Sequence, residues 1–385
     1  MLITRPPMGW NSWNTYGNNI NEDLIKETAD AMVASGLKDA GYEYVVIDDC
    51  WSVRGTNDEN GKQLTTGRDE NGCLVADPVK FPSGMKALAD YIHEKGLKFG
   101  MYSCDGPLTC AGYPASYDYE FIDAKTFAEW GVDYLKYDNC YKPELPGRVL
   151  YNRMSMALKA SGRDIVFSAC NWGAEDVWSW IRSTGAHLYR STGDINDSYG
   201  SFMNIAISQF DKQMYNTPGC FNDIDMLITG MYGKGNVAVG GCTEPEYLFH
   251  FALWCFFQSP LMIGCDIRNM SKATKDTLMN KELIRINQDA ECRPPFLVQK
   301  TGKCYSFLKH LEDGEYALGY FNFSEDKQQV PCEFYNFGLH KSTGMALDLF
   351  DTVNDEQYLN CVGGFNATVE PHYFRIYRCK LHPAK

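Results

Sequence analysis

At 385 residues the chain is longer than one hydrophobic core usually supports, so a large domain with a smaller companion is expected. Its 36 basic and 49 acidic residues give a formal charge of −13 with no basic cluster, which argues against nucleic acid as a partner and fits a neutral ligand. No apolar run reaches the ~18 residues of a membrane span, and Met1-Leu-Ile-Thr-Arg-Pro-Pro7 lacks the pattern of a secretory signal, so a soluble, cytoplasmic protein without membrane attachment is expected. Fifteen cysteines cannot all pair, and most are expected as free thiols. There is no C-x-x-C pair, and the seven histidines show neither H-x-H nor H-E-x-x-H spacing, so no metal is predicted.

In chain order, Met8 to Tyr16 carries two tryptophans and reads either as a short strand delivering Trp10 to its tip or as an aromatic core plug. Asn21 to Gly36 has a cap residue, acids in its first turn and Leu24, Ile25, Ala29, Met32 and Val33 on one face, so a helix is predicted. Tyr42 to Trp51 is a buried strand ending in Asp48 and Asp49. The polar, Gly-rich stretch Val53 to Val79 reads as a surface excursion. Helix Pro82 to Gly96 precedes strand Leu97 to Ser103, whose following loop holds Tyr102, Asp105 and Cys110. Helix Tyr119 to Trp130 leads into Val132 to Cys140, a strand with Lys136 beside Asp138 at its tip. Then come helix Leu150 to Ser161, strand Asp164 to Ala169 with Cys170, Asn171 and Trp172 at its end, and a short helix Ala174 to Ile181. Strand Ala186 to Ile195 presents Arg190 and Asp194, and Phe202 to Asp211 is helical. Cys220 to Leu227 supplies Asp223, Asp225 and Met226; the apolar helix Glu244 to Phe257, strand Ser259 to Asp266 and helix Lys275 to Ile286 complete the series.

Eight strand-then-helix units in about 290 residues predict a (β/α)8 TIM barrel over residues 1–292. From residue 293 the pattern alternates, with Asp313-Gly314 as a turn, and residues 293–385 are expected to form a small C-terminal antiparallel β-sandwich. No Gly-rich nucleotide loop appears, and no cofactor is predicted. Barrel active sites lie at the C-terminal ends of the strands, and here those ends gather acids and aromatics. Such a mouth suits a neutral polyhydroxylated ligand: aromatic faces cover sugar C–H surfaces and carboxylates accept hydroxyl hydrogens. Two facing carboxylates suffice for glycoside hydrolysis. Asp138 is the nucleophile candidate, expected to stay charged beside Lys136, and Asp194 on its Ser-Thr-Gly turn is the acid/base candidate. Spacing alone leaves open an aldolase or isomerase barrel with Lys136 as a Schiff-base lysine.

The motifs Met8-Gly-Trp-Asn-Ser-Trp13, Ile47-Asp-Asp-Cys-Trp51, Tyr134-Leu-Lys-Tyr-Asp-Asn-Cys140, Cys170-Asn-Trp-Gly173, Arg190-Ser-Thr-Gly-Asp194, Asn222-Asp-Ile-Asp-Met-Leu227 and Ser259-Pro-Leu-Met-Ile-Gly264 occur in this order over nearly the whole chain. Together they resemble glycoside hydrolase family 27, the clan D α-galactosidases and α-N-acetylgalactosaminidases. The resemblance implies a retaining exo-α-galactosidase acting on a galactose-containing oligosaccharide or glycoconjugate, with Asp138 as nucleophile and Asp194 as acid/base. It implies Asp48 and Asp49 on the 4- and 6-hydroxyls, Lys136 and Arg190 on other ring hydroxyls, and Trp10 and Trp172 shaping the pocket. Tyr102, Cys110, Cys170, Asn171, Asp225 and Met226 complete the expected substrate contacts. It further implies a Cys110–Cys140 disulfide, which a cytoplasmic location would disfavour. Asn171 favours a free 2-hydroxyl, whereas Ala174 leaves room for an acetamido group. α-N-Acetylgalactosaminidase and β-L-arabinopyranosidase are therefore the alternative activities, and a non-catalytic sugar-binding barrel the non-enzyme one.

Overall fold

The computed structural model describes residues 1–57 and 63–385, so the excursion expected from Val53 to Val79 lies partly outside the described residues. Eight strands form one parallel sheet: β1 (Met8–Asn11), β2 (Tyr44–Val46), β3 (Lys98–Cys104), β4 (Tyr134–Asp138), β5 (Val166–Cys170), β6 (Leu188–Arg190), β7 (Phe221–Asp223) and β8 (Leu261–Ile263). Their order is β8-β1-β2-β3-β4-β5-β6-β7. The ring closes just past β7, where the Leu227 amide donates to the Met262 carbonyl at 2.8 Å and the Gly264 amide to the Leu227 carbonyl at 3.0 Å. This is the expected (β/α)8 barrel.

Strand alternation decides what faces inward. Tyr44, Val46, Tyr134, Val166, Leu188, Phe221 and Met262 fill the barrel's interior, while Trp10, Val45, Leu135, Tyr137 and Phe167 pack against the outer helices. Two glycines make room for this filling. A β-carbon on Gly9 would lie 2.5 Å from the Tyr44 carbonyl, and one on Gly100 would lie 2.7 Å from a Val46 methyl.

The helices form where caps and apolar faces coincide. Asn21 accepts the Leu24 amide at 2.8 Å to start Glu22–Ala34, with Glu22 and Asp23 in its first turn and Leu24, Ile25, Ala29 and Met32 buried. Two expectations change. The helix read over Lys275 to Ile286 is two, Lys272–Leu278 and Lys281–Asn287, because Asn280 accepts the Leu283 amide and opens a second cap. Residues 174–181 are not an α-helix: Glu175 and Asp176 are left-handed, and this turns the Glu175 carboxylate onto the Gly147 amide at the start of helix Gly147–Ala160.

After the barrel, six antiparallel strands run in the order Phe296–Thr301, Cys304–His310, Glu315–Asn322, Tyr373–Pro383, Met345–Asp351 and Gln357–Cys361. Gln328–Glu333 pairs with Gly364–Val369 in a second, two-stranded sheet. Gln328–Glu333 ends at Glu333, after which Phe334–Phe337 makes a 3-10 turn. One face of the larger sheet has its own core around Leu308, Leu318, Val330 and Leu347. Its other face, with Phe307, Phe321 and Phe374, belongs to the same core as the barrel's outer layer. That explains helix Glu244–Phe256, apolar nearly all round: strands lie on one side of it and the antiparallel sheet on the other. Phe249 stacks on Phe374 with centroids 5.9 Å apart, and Phe256 meets Phe321 edge-on at 5.4 Å.

Candidate active site

At the C-terminal ends of the strands a cleft of about 180 Å³ is lined by Trp13, Asn14, Asp48, Asp49, Tyr102, Cys110, Lys136, Asp138, Trp172, Arg190, Asp194, Asp225 and Met226, with Ile195, Asn196, Asn236 and Val237. Each acid arrives there by an identifiable route. On β4 the pleat turns Tyr134, Lys136 and Asp138 inward together, which places Lys136 one layer below Asp138. The Lys136 ammonium donates to Asp48 at 2.8 Å rather than to Asp138, and it lies 5.3 Å from the Tyr102 ring centre. Asp48 also accepts the Asn11 amide at 2.8 Å. Asp49 accepts the Ala111 amide at 2.9 Å, which ties β2's tip to the loop after β3.

Asp138 is 6% exposed and accepts the Tyr102 hydroxyl at 3.1 Å and the Asn139 amide at 3.0 Å. Burial pushes its carboxyl up to about 6; the Lys136 and Arg190 charges pull it down, and Asp48 pushes the other way. The Lys136 charge offsets only part of this burial, because its hydrogen bond goes to Asp48, yet a carboxyl at about 6 still carries its charge at neutral pH. The Asp194 side chain is 74% exposed and shares Arg190 with buried Asp225, each at 2.7 Å. Asp225, itself left-handed at φ 86°, accepts the Ile195 amide at 2.7 Å and is pushed by burial up to about 6.

The disulfide joins Cys110 to Cys140, with Cα atoms 5.1 Å apart, and the remaining thirteen cysteines are free. Both of its sulfurs lie within 4.8 Å of a ligand atom of Asp138, but they are committed to each other, so this donor set does not fit a metal ion.

Three expected contacts sit elsewhere. Trp10 faces the outer layer, wholly buried, and donates to the Cys265 carbonyl at 2.9 Å. The indole that lines the cleft beside Trp172 is Trp13, on the one-turn helix Trp13–Tyr16 after β1. Cys170 lies beneath Arg190, whose guanidinium reaches its sulfur at 3.8 Å, and burial holds its thiol well above the ordinary range. Asn171 is 1% exposed and donates to the Ala174 carbonyl at 2.9 Å, so it braces the loop rather than lining the cleft. Sequence reasoning missed Asn14, Ile195, Asn196, Asn236 and Val237. The Gly-rich run from Gly230 to Gly241 was the available signal for the last two, since it carries Asn236 against Asn14, whose carbonyl accepts the Asn236 amide at 2.8 Å.

Left-handed, non-glycine residues mark the strand tips: Cys50, Tyr141, Trp172 and Asp225, with φ of 73°, 53°, 57° and 86°. Such conformations cost about 1–3 kcal/mol each and concentrate at functional sites.

A family model described as alpha galactosidase A matches residues 5–289. The chain is 48% identical to the alpha-galactosidase of Coffea arabica over 97% of this chain and 93% of that one. It is 43% identical to alpha-galactosidase 2 of Arabidopsis thaliana over 98% and 89% of the two chains. Among solved structures, alpha-galactosidase I from Mortierella vinacea superposes with a TM-score of 0.89 at 33% identity, covering 98% of this chain and 97% of that one. A β-L-arabinopyranosidase from Geobacillus stearothermophilus gives 0.85 at 25% identity over 98% and 97%.

Proposed function

The chain belongs to the glycoside hydrolase family 27 α-galactosidases, and we propose from that membership and the cleft's geometry that it is a retaining exo-α-galactosidase. The observation that carries the reading is the convergence of buried Asp138 and exposed Asp194 on a cleft of about 180 Å³, below the ~300–1,000 Å³ of pockets for drug-sized ligands, which suits one sugar ring. Asp138 attacks C1 of an α-linked galactose while Asp194 gives its proton to the departing oxygen. The β-galactosyl ester so formed is then opened by water, from which Asp194 takes a proton, and α-galactose leaves. Tyr102, donating to Asp138, holds the nucleophile for in-line attack. Asp48 and Asp49, neighbours at one strand tip, accept ring hydroxyls, and Lys136 and Arg190 donate to others. The natural substrate in this reading is a neutral galactose-terminated oligosaccharide or glycoconjugate.

Initial rates on nitrophenyl α-galactoside, α-N-acetylgalactosaminide and β-L-arabinopyranoside test the reading, with proton NMR of the first sugar released. Fastest turnover of the α-galactoside with α-galactose appearing before mutarotation is expected. A faster rate on either other glycoside, or β-galactose appearing first, overturns the substrate or the mechanism respectively.

A further inference from the structure

Beside the cleft, across the Cys110–Cys140 bridge, lies a second cavity of about 640 Å³, more than three times the first. Its walls include Leu108 and Tyr117 from the loop after β3, Tyr119 at the start of helix Glu120–Trp130, and Tyr141 from the tip of β4. The disulfide lies between their walls: Cys110 lines the cleft, and Leu108, Gly112 and Tyr141, neighbours of Cys110 and Cys140 in the chain, line the second cavity.

We infer that this groove holds the leaving-group side of a neutral α-galactosyl oligosaccharide of three or four rings, with Tyr141 as its stacking platform. The inference rests on the galactosidase reading. A cleft that fits one ring forces the remaining rings outward, and the groove is the larger space next to it along the chain around Cys110 and Cys140. Its aromatics are held open. Tyr119 has the Arg68 guanidinium 3.9 Å from its ring centre, and Arg68 is anchored to Asp123 at 2.6 Å and to the Ala115 carbonyl at 2.7 Å. Tyr117 is backed in the same way by Arg153 at 4.8 Å. Tyr141 has no ring partner among the described residues, is 61% exposed and is left-handed at φ 53°. A bulky residue in that conformation carries strain that core packing does not explain.

The backbone beneath Tyr141 is rigid. A β-carbon on Gly106 would lie 2.2 Å from the Cys140 carbonyl oxygen and 2.7 Å from the Tyr141 carbonyl carbon, so the two loops touch backbone to backbone. The Tyr117 amide donates to the Gly106 carbonyl at 3.2 Å, which ties the far wall to the same point. Because Arg68 is already neutralised by Asp123, the groove offers phenol faces, the Leu108 side chain and the Arg54 guanidinium, which can cover sugar C–H surfaces and donate to hydroxyls.

Two substrates separate the sites. α-Galactosyl fluoride, whose leaving group is a single atom, reports the cleft alone; a tetrasaccharide ending in α-galactose reports cleft and groove together. Tyr141→Ala is expected to lower kcat/KM on the tetrasaccharide about five- to tenfold, mainly through KM, and to leave the fluoride rate unchanged. Tyr141→Phe, which keeps the ring, restores the tetrasaccharide rate, and Leu108→Ala, in the same lining, repeats the selective loss. Equal effects of Tyr141→Ala on both substrates, or none on either, overturn the groove and leave the galactosidase reading standing. Failure of the unmodified protein to cleave the fluoride overturns that reading and the groove with it.

Discussion

Two buried regions of this molecule use charge in opposite ways. In the cleft, Asp138 and Asp225 are pushed up to about 6 by burial, and neighbouring Asp105, wholly buried with neither carboxylate oxygen hydrogen-bonded, to about 8. In the seam between barrel and sandwich a buried cation, Lys309, is pushed down to about 8, with its ammonium on the Gln258 side chain at 2.9 Å and the Arg293 carbonyl at 2.6 Å. Around Lys309 the seam is aromatic: Phe210, Phe256, Phe257, Phe307 and Phe321 meet at centroid distances of 4.9–6.4 Å. The cleft gathers acids that folding alone would not choose, whereas the seam buries apolar surface and tolerates a cation. Backbone strain does not follow this division: left-handed Cys50, Trp172 and Asp225 lie at the cleft's strand tips, and left-handed Gln258, at φ 56°, lies beside Lys309 in the seam.

The comparison can be broken in several ways, the largest by removing the nucleophile. Asp138→Asn should lower kcat by roughly a thousandfold or more without lowering the melting temperature at pH 7, because the carboxylate it replaces is held against its charged form. Near-parental turnover would unseat Asp138 as nucleophile. In the seam, Phe321→Ala should cost about 3–5 kcal/mol in urea unfolding and leave kcat/KM within about twofold. A loss of activity without a loss of stability would show that the seam serves the chemistry.

A smaller effect concerns the 2-position. Galactoside should be preferred over N-acetylgalactosaminide by about tenfold in kcat/KM. Since Asn171 braces the Ala174 carbonyl, Asn171→Ser is expected to narrow that gap by loosening the loop, with a parallel rise in its proteolytic sensitivity. An unchanged ratio would detach the loop from substrate choice.

A further pair of effects is a set of pH slopes of opposite sign. Asp138, Asp225 and Asp105 bind protons more tightly folded than in an unfolded chain, where carboxyls titrate near 4. Their contribution is complete below about pH 4 and is lost as pH rises through about 6 and then about 8. Lys309 titrates at about 8 folded and near 10.4 unfolded, so its contribution improves with pH between those values. Asp105→Asn should flatten the urea midpoint between pH 5 and 8, and Lys309→Met should flatten it above pH 8. Slopes unchanged by both substitutions would mean that neither burial is felt at equilibrium. The acidic limb of kcat/KM should also fall near pH 6, where Asp138 takes up its proton.

Much of this was legible from the chain. Strand tips carrying Asp48, Asp138 and Arg190 stood out because inward positions on a barrel strand are apolar unless used, and alternate residues fix which side chains point in. Trp10 was harder. Two indoles three residues apart straddle the end of a four-residue strand, and only the register of Met8–Asn11 against β2 and β8 shows that Trp10 faces out. Asn171 was hidden by backbone: left-handed Trp172 and Gly173 reverse the chain and fold the amide back on its own loop. Asn236 and Val237 reach the cleft from a loop more than two hundred residues from Asn14, a pairing that no local pattern encodes.

The shared core also sets a timetable. Helix Glu244–Phe256 turns Phe249 toward Phe374 on strand Tyr373–Pro383, which is synthesised more than a hundred residues later. At about 5–20 residues per second the ribosome leaves that helix face incompletely covered for roughly 6–25 s, long enough for a nascent barrel to meet chaperones or neighbouring chains before its own sandwich is complete.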